Sequence, residues 1–196
     1  MKIHILFGMI GFILLSGCNR TAEKNPRFYD AGVSRELAGH RKAQIKNLKY
    51  ELSFNIPRQK EAAIEGDITL RFDLASRQEV LIDFREEREK IKEVIANGVP
   101  VDKVRFENEH IILPASSTVE GANGIRIRFT AGNQSLNRND EYLYTLLVPD
   151  RARTVFPCFE QPNLKAEFTL QLELPADWKA VSNTYIRSET VTDDRK

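Results

Sequence analysis

The chain is poor in the residues that most often carry chemistry. Its 196 residues include 2 Cys, 3 His and 1 Trp. Two cysteines cannot build a disulfide framework, and the set is too small for a zinc finger. His4, His40 and His110 share no metal-ligand spacing and read as unrelated surface or loop histidines. There is no His-Glu-x-x-His, no Gly-x-Ser-x-Gly and no Gly-x-x-x-x-Gly-Lys, which leaves no zincin helix, nucleophile elbow or phosphate loop. The expected set of catalytic, cofactor-binding and metal residues is therefore empty. Charge of one sign is also lacking: 29 Lys+Arg stand against 28 Asp+Glu, a net of +1. Phosphate binding needs an excess of clustered cations, so nucleic acid is not an expected partner. Glu86-Glu87 and Asp193-Asp194 lie in charged runs that read as solvated faces.

Long apolar runs are missing too, with one short exception. Residues 5–15 carry no charge, follow Lys2 and run into Leu15-Ser16-Gly17-Cys18. The run is too short to cross a bilayer, which takes ~20 apolar residues, and it fits the core of a secretory signal. The exit resembles the bacterial lipoprotein processing box, in which the Cys becomes the lipidated first residue. This resemblance implies a signal peptide at 1–17, lipidation at Cys18 and a location in the bacterial cell envelope, anchored to a membrane and facing the periplasm or exterior. The mature chain then carries 28 charges of each sign. Residues 18–32 are polar and irregular and read as a tether. With Cys18 lipidated, Cys158 has no partner, and its Val-Phe-Pro-Cys-Phe setting predicts a buried, inert thiol.

What is present in abundance is alternation. Ser34 can cap a helix over 35–45 with Val33, Leu37, Arg41 and Ile45 at helical spacing. This helix reads as a lid or spacer. From there the period becomes two. Tyr50, Leu52, Phe54 and Ile56 alternate with polar residues, as do Ile64, Ile68, Leu70, Phe72 and Leu74, then Ile125, Ile127 and Phe129, then Phe168, Leu170, Leu172 and Leu174. Each is a strand with one wet and one buried face. Val80-Leu81-Ile82 is a shorter, fully apolar strand. Asn97-Gly98 between apolar triplets is a two-residue hairpin signal, and Glu107-Asn108-Glu109 marks a second hairpin. Residues 85–90 allow a Glu86–Lys90 pair but read as a solvated connector. The fold class is all-β: a sandwich of mostly antiparallel strands with a short N-terminal helix, spanning 33–196. Val191-Thr192 reads as a strand and Asp193-Asp194 as a turn. A turn without a returning strand points to a domain that is truncated at Lys196; a frayed polar tail is the alternative.

The densest unusual stretch is residues 151–168. Pro157 and Pro162 frame Cys158-Phe159-Glu160-Gln161, which disfavours a central strand, while Phe156, Phe159 and Phe168 call for burial. Arg153, Glu160 and Lys165 are placed to fix such a loop by charged hydrogen bonds. The physics describes a rigid aromatic corner or interface.

This stretch also carries a family resemblance. Arg153-x-x-Phe156-Pro157-Cys158-Phe159-Glu160-Gln161-Pro162-x-x-Lys165-Ala166-x-Phe168 resembles the signature of the aminopeptidase N family of zinc metallopeptidases, which includes leukotriene hydrolase. Pro175-Ala176-Asp177-Trp178-x-Ala180-Val181-Ser182-Asn183 resembles the segment after it, and the resemblance covers about residues 45–187. It implies a saddle-like β-domain that walls the active-site cleft and packs on a catalytic domain, absent from this chain, that carries the zinc. Zinc and peptide substrate belong to that full-length context. In the family a Glu or Gln just before a Pro contacts the substrate; counting back from Ala152-Arg153 places Val148-Pro149 there. Glu160 stands where the family has Asp. The alternatives are a stand-alone lipid-anchored β-sandwich that binds a partner without catalysis, whose outer surface would be polar, and a glycan- or surface-binding module.

Overall fold

The computed structural model describes residues 26–196. The signal at 1–17, Cys18 and the first part of the tether lie outside the described residues. A 3-10 turn, Pro26–Tyr29, precedes helix α1, Arg35–Gln44. Strands follow as β1 (Ile45–Asn55), β2 (Glu65–Leu74), β3 (Val80–Asp83), β4 (Ile91–Ala96), β5 (Val99–Pro100), β6 (Arg105–Glu107), β7 (His110–Leu113), β8 (Gly121–Thr130), β9 (Leu136–Arg138), β10 (Leu143–Thr145) and β11 (Glu167–Glu173). Six strands form one sheet in the order β11-β1-β2-β8-β4-β5. A three-stranded sheet, β3-β7-β6, and a two-stranded ribbon, β10-β9, complete the described strands. All pairs are antiparallel except β1 with β11.

The core forms because the alternation places one apolar row per strand on the same face. Leu52, Ile68, Leu70, Phe72, Ile125, Ile127 and Phe129 are buried there and meet Val80, Ile82, Phe84, Ile111 and Leu113 of the second layer. The rings of Phe84 and Phe129 cross edge to face at 5.8 Å. The opposite face of the large sheet is polar and carries cross-strand ion pairs such as Arg126–Asp67 and Arg71–Glu51. Both expected hairpins form. Asn97 and Gly98 adopt positive φ of 53° and 82°, the left-handed pair that a two-residue turn requires. Lys90 reaches Glu86 at 2.5 Å across the 85–90 connector.

Four expectations change. The helix is no lid: Leu37 packs on Leu81 and Ile112 of the three-stranded sheet, with Phe28 and Tyr29 beside them. That contact also brings the 26–32 stretch into the fold, so the ordered domain starts earlier than residue 33. β3 and β7 are buried throughout because α1 covers one face and the large sheet the other. Val191-Thr192 forms no strand; instead Leu174 and Lys196 exchange backbone hydrogen bonds, and Pro175 bridges Arg195. Finally, the apolar row of β11 is buried only at its end, where Leu172 packs on the core and Leu174 follows it in. Phe168 is 56 % and Leu170 43 % exposed. β11 is the edge strand, and although the Phe168 ring stacks on Tyr50 at 4.6 Å, the second layer does not extend over it.

Gly66 lies directly beneath the Phe129 ring. A Cβ there would lie 2.3 Å from the Phe129 ring. Gly66→Ala is expected to lower unfolding stability by about 1–3 kcal/mol through overpacking, read from the urea midpoint at unchanged slope.

Candidate functional site

The signature loop is held by a buried charge centre that joins α1, the three-stranded sheet and the loop itself. α1 starts at Ser34, whose hydroxyl accepts from the Leu37 N–H at 3.1 Å. One turn past Leu37, the same inward stripe delivers Arg41, 3 % exposed, to Asp83, which is fully buried at the end of β3. The guanidinium donates to Oδ2 at 2.7 Å and to Oδ1 at 2.6 Å, and a third N–H goes to Leu81 O at 2.8 Å. This is the bidentate fork that makes arginine suited to a buried carboxylate. The Phe159 ring lies 5.1 Å from the guanidinium carbon.

Asp83 then ties in the loop. Its N–H and C=O pair with Cys158 at 2.8 and 3.0 Å. Its Oδ2 accepts from the Glu160 N–H at 2.8 Å. His110, also fully buried, sits with Nδ1 2.8 Å from Asp83 Oδ1, off the axis of a well-aligned hydrogen bond. Nε2 donates to Asp30 O at 2.9 Å. Burial pushes the Asp83 carboxyl up, but Arg41 and His110 outweigh that and hold it down at about 2.

The rest of the loop is fixed around this centre. Phe159 N–H donates to the buried Tyr50 hydroxyl at 2.9 Å, and burial raises that phenol well above its ordinary value. Phe159 meets Phe72, and Phe156 meets Phe54, both edge to face. Arg153 is buried, grips Glu109 and reaches Asp150 at 3.2 Å. Its N–H donates to Glu160 Oε2 at 2.7 Å. Glu160 is raised above the usual carboxylate range, mainly by burial. Gln161 donates to Ala38 O on α1 at 3.1 Å. Pro157 is buried with these residues, whereas Pro162, Lys165 and Phe168 are exposed. Lys165 does not join the network expected of it.

The sequence reading of Arg153 and Glu160 as charged fixers of the loop agrees with this geometry. The reading of His110 as a surface or loop histidine does not. His110 is a core residue, drawn in by Asp83, and His40 sits at Gln78 Oε1, 2.7 Å away. Asp83 itself was missed, although an acid ending the apolar run Val80-Leu81-Ile82 was a signal for a paired buried charge. Val148, the position where the sequence resemblance implied a substrate contact, is 84 % exposed. The nearby acids Asp150 and Glu109 are both engaged by Arg153.

Cys158 is buried, and burial pushes its thiol well above the ordinary range. Thiol reagents are expected to label it only on unfolding; native-state labelling as fast as that of a free peptide thiol would contradict this. The charge centre also sets acid stability. Because the folded pKa of Asp83 lies below its ordinary 3.8, its contribution is present above that value and lost as pH falls through about 2. Denaturant melts are expected to lose about 2 kcal/mol over that window, and Asp83→Asn is expected to flatten it.

Comparison with known proteins bears on this loop and on the strands that carry it. Residues 46–196 match the Peptidase M1 N-terminal domain. Aminopeptidase N of Streptomyces lividans is 32 % identical over 166 residues, covering 78 % of this chain and 19 % of that protein. Leucine aminopeptidase 2 of Candida glabrata is 25 % identical, covering 70 % of this chain and 23 % of that protein. Among solved structures, an M1 zinc metallopeptidase from Deinococcus radiodurans superposes with a TM-score of 0.65 at 18 % identity, over 78 % of this chain and 37 % of that one. Yeast LTA4 hydrolase gives 0.63 at 19 %, over 78 % and 26 %. The chain thus spans about a fifth of the length of the relatives matched by sequence, and the structural likeness establishes the β-sandwich fold. The match over residues 46–196, most of the chain, places it in the Peptidase M1 N-terminal domain family, the non-catalytic domain of zinc aminopeptidases.

Proposed function

We propose that this domain walls the active-site cleft of a zinc aminopeptidase and packs on the catalytic domain that holds the metal. The family match over residues 46–196 carries the reading. The uncovered Phe168 and Leu170 support it, since a stand-alone module would present a polar surface there. Among the described residues no group of three or more His, Cys, Asp or Glu could hold a metal. His40 and His110 are committed to Gln78 and to Asp83 with Asp30. The residues do not fit zinc, so no hydrolytic step runs through them. In the full-length enzyme zinc would supply an activated water, and this domain would supply a rigid wall. Its rigidity comes from the Arg41–Asp83 centre and the aromatic contacts of the loop.

Membrane attachment is the second part of the proposal. The apolar run at 5–15 and the exit Leu15-Ser16-Gly17-Cys18 support lipidation at Cys18 and an envelope location. Among the described residues no helix is long and apolar enough to cross a membrane.

Hydrolysis assays, the downstream coding sequence and fatty-acid labelling test these statements. The purified chain is expected to show no peptide hydrolysis with or without zinc. The coding sequence past codon 196 is expected to encode His-Glu-x-x-His, and the longer product to release N-terminal residues in a chelator-sensitive way. Absence of that motif in every downstream frame, or zinc-dependent hydrolysis by this chain alone, overturns the first part. For the second, metabolic labelling with an alkynyl fatty acid is expected to mark the wild type and Cys158→Ser but not Cys18→Ser; an unlabelled wild type overturns it.

A further inference from the structure

The chain as a whole is electrically balanced, but α1 and the loops beside it are not. Between Pro26 and Lys49, six of the eight charged side chains are cationic. Arg41 is buried on Asp83. Arg35 and Lys42, two helical turns apart, lie on the stripe of α1 opposite Leu37 and Arg41, and both are exposed. Two exposed cations from other segments flank them. On one side, Lys42 donates to Asn163 O at 2.9 Å and Gln161 to Ala38 O at 3.1 Å, which seats Lys165 beside the helix. On the other, His40 and Gln44 meet Gln78 at 2.7 and 2.8 Å, which seats Arg77 there.

Among the described residues these four cations have no carboxylate partner. Lys42 and Arg77 donate to the backbone carbonyls of Asn163 and Ala115, and Arg35 and Lys165 make no ion pair. The bordering acids are engaged elsewhere. Glu36 pairs with Arg27 at 3.2 Å and Glu167 with Lys49 at 2.9 Å, while Asp73 opposes Lys46 across β1 and β2.

A second, independent observation is where the chain enters the fold. Arg27 meets Glu36, and the Phe28 ring lies 4.8 Å from that of His40, so the chain joins the domain alongside α1. Cys18 precedes Pro26 by eight positions, a reach of under about 30 Å even when fully extended. A domain of this length is about 40 Å across. A lipid on Cys18 therefore holds the α1 side next to the bilayer, and the opposite side of the domain lies beyond that reach.

We propose that the outward face of α1, with Arg35, Lys42, Arg77 and Lys165, docks on a membrane surface of anionic phospholipid. The position of the lipid rests on the lipidation reading; the charge of the face does not. Acyl chains hold a protein at any bilayer. The cations add a preference for anionic headgroups and a single orientation, because their attraction acts only within about a Debye length of the surface, ~8–10 Å. In that orientation the turn between β1 and β2, at the far end of β1 from the helix, points away from the membrane.

The test supplies the lipid chemically, so it does not depend on processing in the cell. The chain from Cys18 onward is coupled to a maleimide-bearing lipid in vesicles of phosphatidylcholine alone, or of an equal mixture with phosphatidylglycerol. Cys158 is buried, so Cys18 takes the maleimide. Lysine acetylation is then read by mass spectrometry. Phosphatidylglycerol is expected to slow acetylation of Lys42 and Lys165 about threefold or more relative to Lys60, in the β1–β2 turn. The protection is expected to vanish at about 1 M salt, where the Debye length is ~3 Å. The double variant Arg35→Glu, Arg77→Glu is expected to lose it at low salt with an unchanged melting temperature; the salt comparison needs no variant. Equal labelling on both kinds of vesicle overturns the proposal, as does protection that survives high salt or that covers Lys60 equally. Any of these results leaves the lipidation reading standing, because fatty-acid labelling at Cys18 is measured separately.

Discussion

The Arg41–Asp83 pair is the point on which the tertiary structure turns. One carboxylate collects Arg41 from the helix, His110 from the neighbouring strand and the Glu160 amide from the signature loop. Two charges this deep are costly to desolvate, and the cost is offset only when the remaining donors and acceptors find partners. Asp83 nearly achieves that. Its partners come from segments 42, 27 and 77 residues away in sequence, so the pair forms only when three parts of the chain are correctly placed. Besides the acid-labile stability that it carries, the pair specifies one arrangement of the layers.

Apolar packing supplies the stability itself. The six-stranded sheet presents a continuous inner row from β1 to β4, which meets Phe84, just past β3, and Phe159 of the signature loop through edge-to-face rings. The helix closes the far side of the smaller sheet. This layering explains how a loop with two prolines and no regular strand can be rigid. Phe156 and Phe159 are core residues, and the backbone between them is tied to Asp83 at Cys158. Phe168 and Leu170 on the edge strand β11, and Tyr142 and Tyr144 on the ribbon of β9 and β10, stay exposed, and both elements lie next to the loop by which the family is recognised.

The regular strands were legible because a period of two is a local property. Each of Leu52, Leu70 and Ile127 is buried where alternation placed it. The Asn97-Gly98 hairpin was legible for a similar reason, since positive φ is a demand on two adjacent residues. Arg41 was half legible: it appeared in an inward stripe with Leu37, without an indication of what a cation would do there. The ribbon of β9 and β10 was not read, because Tyr142 to Val148 is apolar at nearly every position and shows no alternation. His110 was misjudged because burial of a histidine depends on a partner from another strand.

By itself, then, the sequence determined the strand faces, the turns, the helix cap and the family-signature loop. All of these are set by spacing within a few residues or by a contiguous motif. The tertiary structure decided which apolar rows are covered. β3 and β7 became fully buried because a helix lies on one side and a sheet on the other, while Phe168 and Leu170 of the equally apolar row of β11 were left open at the sheet edge. Coverage is a property of the neighbour, and no periodicity within a strand encodes it. The same holds for the buried charge: Asp83 is tolerable in the core only because Arg41 arrives there, and that meeting exists only in the folded chain.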